Sequence, residues 1–205
     1  MDAKDYLADP CGASSLSFWK TERVVVPENM RIMRDDLFDA AQYAAWHDER
    51  YFKLRCELSE RKRPALPAGY ELICPDTEAY ARHICGCYDA EGVSAAELEA
   101  YRAHDVYDPA LWVAVAAPGG ELAASGVAEL DTRIGEGVLE WIQVSPSHRR
   151  RGLGTFVVCE LLRRMKENGA AFATVSGKLN SASDPLALYE VCGFRDAVVW
   201  HILTK

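Results

Sequence analysis

The sequence predicts an α/β chain, a mixed, mostly antiparallel central sheet flanked by helices and preceded by an N-terminal extension. Three observations predict it. Residues 111–117, 121–130 and 138–145 are strand-like apolar runs separated by Pro118-Gly119-Gly120 and Gly135-Glu136-Gly137, a hairpin pattern that gives three antiparallel strands. Residues 153–168 repeat apolar residues at helical spacing and stop at Gly169, where a left-handed backbone suits glycine. Beyond it, 171–176 and 194–203 read as strands on either side of a helix that Asp184 and Pro185 open and Cys192 closes.

The remaining elements follow from local chemistry. Glu60-Arg61-Lys62-Arg63-Pro64-Ala65-Leu66-Pro67 is charged and then twice interrupted by proline, so it reads as a connector dividing the chain into 1–67 and 68–205. Upstream, 23–26, 30–33 and 51–58 have strand composition, 38–46 suits a short helix, and Phe18 and Trp19 are expected to pack. Downstream, 70–74 reads as a strand and 76–88 as a helix entered at Pro75 or Asp76. Ser94 and Glu97 stand at capping-box spacing, in which serine hydroxyl and glutamate carboxylate each satisfy a backbone N–H, so 95–104 should be helical.

Composition narrows the function. The 205 residues carry a net charge of −8, which argues against a general nucleic-acid binder, since phosphate backbones need clustered excess Lys and Arg. No apolar run is long enough for a membrane span, and the first ten residues carry acids where a secretory signal needs an apolar stretch, which predicts the cytoplasm. Seven scattered cysteines fit reduced thiols. Cys85-Gly86-Cys87 beside His83 lacks the second pair that a metal site would show, so no metal is expected. An exposed front segment is compatible with a homodimer.

Against the acidic background, His148 to Arg151 forms one basic cluster, which points to a local anion. It opens Arg149-Arg150-Arg151-Gly152-Leu153-Gly154-Thr155, between a strand and a helix. Backbone N–H groups and the positive end of the helix dipole face an anion there, and glycine lets the backbone approach it. The triphosphate-loop and dinucleotide-loop patterns are both absent.

With Arg149, Gly152 and Gly154 at their spacing, with Leu139 to Pro146 ahead of them, and with Leu188-Tyr189-Glu190-Val191-Cys192-Gly193-Phe194 behind, residues 70–205 resemble the GNAT (GCN5-related N-acetyltransferase) family. The resemblance implies that acetyl-CoA is the co-substrate and that its pyrophosphate takes N–H bonds from Arg149 to Thr155. It implies that the pantetheine arm pairs with the backbone at Val144, in a cleft between the strand ending at Ser145 and the strand at 171–176. It implies direct transfer to a primary amine, borne by a small molecule or a peptide, which an acidic protein suits.

The amine must lose its proton before it can attack a carbonyl. Glu140 is the candidate base. Alternation along a strand would put it on one face with Val138, Ile142 and Val144, with Glu129 and Asp131 as runners-up. By the resemblance, Tyr189 would protonate the leaving thiolate or hydrogen-bond it; the alternative is a packed aromatic. The family's pantetheine-binding asparagine aligns with Ala182, so Asn180 is a candidate substitute from a longer loop, or a residue making its own turn. A second reading keeps the fold without catalysis, as a CoA-binding regulatory or interaction module in which 1–67 docks a partner or blocks the cleft.

Overall fold

The computed structural model describes residues 1–60, 64–88, 92–181 and 184–205. The centre of the proline-interrupted connector, 61–63, and Ala182 therefore lie outside the described residues. The chain divides into two compact units, one of 1–57 with 174–205 and one of 58–173.

The second unit is built on β3 (Glu71–Ile73), β4 (Trp112–Ala116), β5 (Leu122–Asp131) and β6 (Glu136–Val144), hydrogen-bonded in that order and antiparallel throughout. β7 (Phe172–Lys178) starts in this unit. The N–H groups of Ala171 and Phe172 both donate to Gly135 O, so β7 begins beside the start of β6. The helices α4 (Thr77–Cys85) and α5 (Ala95–Tyr101) cover one face of β5 and β6, and α6 (Leu153–Glu167) covers the other. Asp76 caps α4 by accepting from Ala79 N–H at 2.7 Å, and the Ser94–Glu97 capping box opens α5 as the spacing predicts.

Small residues set how close α6 lies. A Cβ added to Gly126 would stand 2.6 Å from Val157 Cγ1 and 2.8 Å from Leu161 Cδ1, so the close approach of α6 at this point needs glycine in β5. On the opposite face Tyr80, Ile84, Leu98, Ala114 and Val127 form a buried cluster. Burying each large apolar side chain contributes roughly 1.5–3 kcal/mol.

The first unit holds the short helices α1 (Ala3–Ala8), α2 (Pro10–Ala13) and α3 (Phe18–Thr21), and the strands β1 (Met30–Arg34), β2 (His47–Glu57) and β8 (Arg195–Thr204). It also holds most of β7 and the helix α7 (Pro185–Val191). Its strand order is β1-β8-β2-β7, with β8 antiparallel to both β1 and β2. The helical segment at the N-terminus is fastened by Lys53, which is 1% exposed. Its Nζ donates to Tyr6 Oη and to the carbonyls of Pro10, Ser14 and Leu16 at 2.7–3.0 Å. Phe18 and Trp19 are both buried, as expected.

Two elements differ from expectation in this unit. Residues 23–26 have strand composition but pair with no strand among the described residues, and Val25 is 87% exposed, because β-branched residues make a strand only where a ladder exists to receive them. Residues 38–46 form successive turns where a helix was expected. The Asp39 carboxylate accepts from Ala41 N–H at 2.9 Å, and this local bond competes with helical hydrogen bonding. The helix α7 also opens differently: Asp184 has a left-handed backbone (φ 44°) and makes no side-chain cap, while Pro185 occupies the first turn as expected.

Candidate functional site

The helix α6 starts without a side-chain cap. Its own hydrogen bonding begins with Phe156 N–H to Gly152 O, and Gly152, in the cap position at φ 81°, has no side chain to offer. The N–H groups of Leu153, Gly154 and Thr155 therefore point out of the helix end, where the macrodipole is positive. Ahead of them Arg150 is also left-handed (φ 62°), a conformation uncommon for a residue with a side chain, and a turn of this kind gathers successive N–H groups into a concavity that suits an anion. Among the described residues a Cβ on Gly152 would meet only Pro67 Cγ, at 4.0 Å.

The three arginines are exposed, and two of them brace the loop. Arg149 Nε donates to Val144 O at 3.2 Å, which joins the end of β6 to the loop. Arg151 donates to Tyr70 Oη and Ser147 O, both at 3.3 Å, and Tyr70 Oη in turn lies 3.0 Å from His148 Nδ1. A buried polar chain underlies the same junction. His83 of α4 places Nδ1 2.8 Å from Ser125 Oγ and Nε2 2.9 Å from Ser145 Oγ. Ser145 Oγ donates to Leu122 O, so it accepts from His83, which assigns the ring proton to Nε2. Nδ1 then accepts from Ser125, whose oxygen accepts from Gln143 Nε2.

Burial lowers the His83 pKa from its ordinary 6.5 to about 4, so the ring is neutral and both nitrogens are engaged. Its part is to fix Ser145, the last residue before the chain turns through Pro146 into the arginine-bearing loop. Cys87 Sγ lies 3.7 Å from His83 Nε2. Burial pushes its thiol up, opposed by the charge of Arg149 and a hydrogen bond with Ser145. Among the described residues no group of three or more His, Cys, Asp and Glu stands ready to hold a metal ion.

Glu140 departs from the expected pattern. The register passes from Val127 opposite Trp141 to Ala128 opposite Leu139, so Glu140 is the extra residue of a β-bulge. Val138, Trp141 and Gln143 share the face of Glu129, Val127 and Ser125, toward α4 and α5. Leu139, Ile142 and Val144 share the α6 face. The expected common face of Val138, Ile142 and Val144 is thus broken between Val138 and the other two. Glu140 itself is half-buried. Of the runners-up, Glu129 and Asp131 are buried, and Asp131 pairs with Arg133 at 2.7 Å.

Tyr189 and Asn180 belong to the first unit. Tyr189 is 6% exposed, edge-on to Phe52 and Phe194. Its local sequence closes α7: Phe194 N–H donates to Tyr189 O and Gly193 N–H to Glu190 O, with Gly193 at φ 102°. This helix stop needs glycine at that position and sets the Phe194 ring on the Tyr189 ring. Asn180 is exposed and left-handed (φ 61°), in a turn, a conformation asparagine tolerates better than most residues.

The sequence reading of the site passed over His83 as a partner of Ser125 and Ser145. Its signal is faint, since it consists of single polar residues, Ser125 and Gln143, inside otherwise apolar strands.

Known proteins resemble the chain at the level of family and fold. The family model described as "Acetyltransferase (GNAT) family" matches residues 66–194. A GCN5-related N-acetyltransferase from Sphaerobacter thermophilus aligns with a TM-score of 0.73 at 15% identity, covering 86% of this chain and 58% of its own length. One from Kribbella flavida aligns at 0.56 and 19%, covering 86% and 68%. The ribosomal-protein-S18-alanine N-acetyltransferase from Escherichia coli aligns at 0.53 and 18%, covering 66% of this chain and 92% of that one. No curated protein matches. At these identities the structures speak for the fold alone.

Proposed function

We propose, from the premise that this chain belongs to the GNAT acetyltransferase family, that it transfers an acetyl group from acetyl-CoA directly to a primary amine. The observation that carries the reading is the uncapped N-terminus of α6 behind two left-handed residues. It leaves backbone donors for the pyrophosphate at Arg150, Arg151, Gly152, Leu153, Gly154 and Thr155, while the Arg149 N–H closes the preceding turn on Pro146 O.

When bound, acetyl-CoA supplies an activated acyl carbon as a thioester. The chain's own residues do the rest. The backbone of Val144 pairs with the pantetheine arm, and His83 holds Ser145 so that β6 enters the loop at a fixed angle. Asn180 is a further candidate contact for that arm. Glu140 takes the proton that the amine must lose, and the bulge supports this assignment because it sets Glu140 outside the regular ladder at mid-strand. As the C–N bond forms and the C–S bond breaks, the Tyr189 hydroxyl donates its proton to the thiolate. The family resemblance of the Tyr189 segment supports that role, and its packing is equally that of a helix stop.

Calorimetric titration tests the reading. Acetyl-CoA should bind the wild-type protein at micromolar concentration, and Gly154→Trp, which fills the helix end, should abolish binding with the melting temperature retained. Absence of binding by the wild type would remove the acyltransferase reading. With an acceptor in hand, Tyr189→Phe should lower kcat by about 10²-fold or more with acetyl-CoA affinity little changed. Unchanged kcat would leave Tyr189 a packing residue.

A further inference from the structure

Trp141 reaches its position through the bulge. Strict alternation from Val138 would point residue 141 toward α6, but the extra residue Glu140 turns it to the face of α4 and α5, opposite Val127. There it stands half-buried between two half-buried tyrosines. The Tyr88 ring lies edge-on at 5.8 Å, and Trp141 Nε1 donates to Tyr101 Oη at 3.3 Å. Tyr88 Oη donates to Ile142 O at 3.0 Å. Each polar tip is thus engaged by a neighbour or by the backbone. What the three rings offer a ligand is mainly carbon, with Glu140 next to Trp141 in the chain.

We infer that the acceptor amine is an ammonium carried on an apolar body, aromatic or alkyl, seated against Tyr88, Trp141 and Tyr101 beside Glu140. The inference rests on the acyltransferase reading and names its acceptor class. A ring wall with its hydroxyls and indole N–H engaged matches an apolar body and gains cation–π attraction for the charged end. A polyhydroxylated amine would lose hydrogen bonds to water on such a wall and find few replacements.

The test uses the full chain with 2-phenylethylamine and glucosamine as probes. Binding is followed by intrinsic fluorescence with and without CoA, and turnover is followed with acetyl-CoA. 2-Phenylethylamine should bind at least about tenfold more tightly than glucosamine, and Trp141→Ala should weaken it about tenfold with acetyl-CoA affinity unchanged. Trp141→Phe keeps a ring and should give a smaller loss, which covers the case in which the alanine variant does not fold. Equal or weaker binding of 2-phenylethylamine under both conditions, or no effect of either variant, overturns the inference. Failure of acetyl-CoA binding would instead overturn the acyltransferase reading, while the fluorescence arm still judges the wall.

Discussion

One buried polar cluster in each unit is built in a contrasting way. In the first, Lys53 is ringed by four oxygens, and His201, 2% exposed, sets Nδ1 2.9 Å from Asp48 and Nε2 3.0 Å from Asp35 while Phe38 stacks on its ring at 3.9 Å. In the second, His83 meets two serine hydroxyls and a thiol among the described residues. A cation ringed by acceptors fastens chain segments that carry no regular ladder between them. A neutral polar chain beside an uncapped helix end orders the entry to the loop without adding charge of its own. The contrast is between a Lys53 cluster that fastens the N-terminal helices and a His83 chain that orders the turn ahead of α6.

The sharpest way to break this comparison is Lys53→Met, which keeps the aliphatic stem and removes every donor. If Lys53 fastens the N-terminal helices, stability should fall by about 3 kcal/mol in urea unfolding, because three carbonyls lose a charge-assisted partner in a buried setting. Limited proteolysis should then cut within the first 21 residues. An unchanged midpoint would make the lysine incidental.

His83 gives an effect of comparable size that appears only in acid. Its folded pKa lies below its ordinary value, so above pH 6.5 the ring is neutral in folded and unfolded chains and contributes no pH dependence. Between 6.5 and about 4 the unfolded chain takes up a proton that the folded chain refuses, and stability falls as pH falls. The loss reaches at most about 3 kcal/mol and then levels off. Urea midpoints at pH 7, 5.5 and 4.5 should show this slope for the wild type and lose that part of it in His83→Asn. A slope unchanged by the substitution would assign the acid sensitivity to other groups. The smallest effect is expected of Asp35→Asn, since that carboxylate is 64% exposed and solvent screens its pairing with His201. A change under about 1 kcal/mol at pH 7 fits this geometry, and a larger one would mean that the contact orders residues 35–46 as a whole.

Legibility from sequence followed the range of the interaction. The Ser94–Glu97 capping box, the stop at Gly169, the hairpin at Pro118-Gly119-Gly120 and the glycine-bearing start of α6 were readable because each is decided by residues within one or two turns of one another. Residues 23–26 and 38–46 were misjudged because composition favours a strand or helix only when a partner or an uncontested backbone is present. For the first no ladder forms, and for the second an aspartate side chain takes a local N–H. The bulge at Glu140 leaves no mark in the alternation of β6, since it becomes visible only in the pairing with β5.

The sequence alone determined the glycine-bearing entry to α6, the order of most helices and strands from residue 70 onward, and the stop that sets Phe194 on Tyr189, because short-range backbone chemistry suffices for each. Only the tertiary structure decided that Trp141 faces α4 and α5, that His83 reaches Ser125 and Ser145, and that Lys53 gathers the N-terminal carbonyls. These are contacts between residues far apart in the chain, made when packing, and no local propensity, brings them within hydrogen-bonding distance.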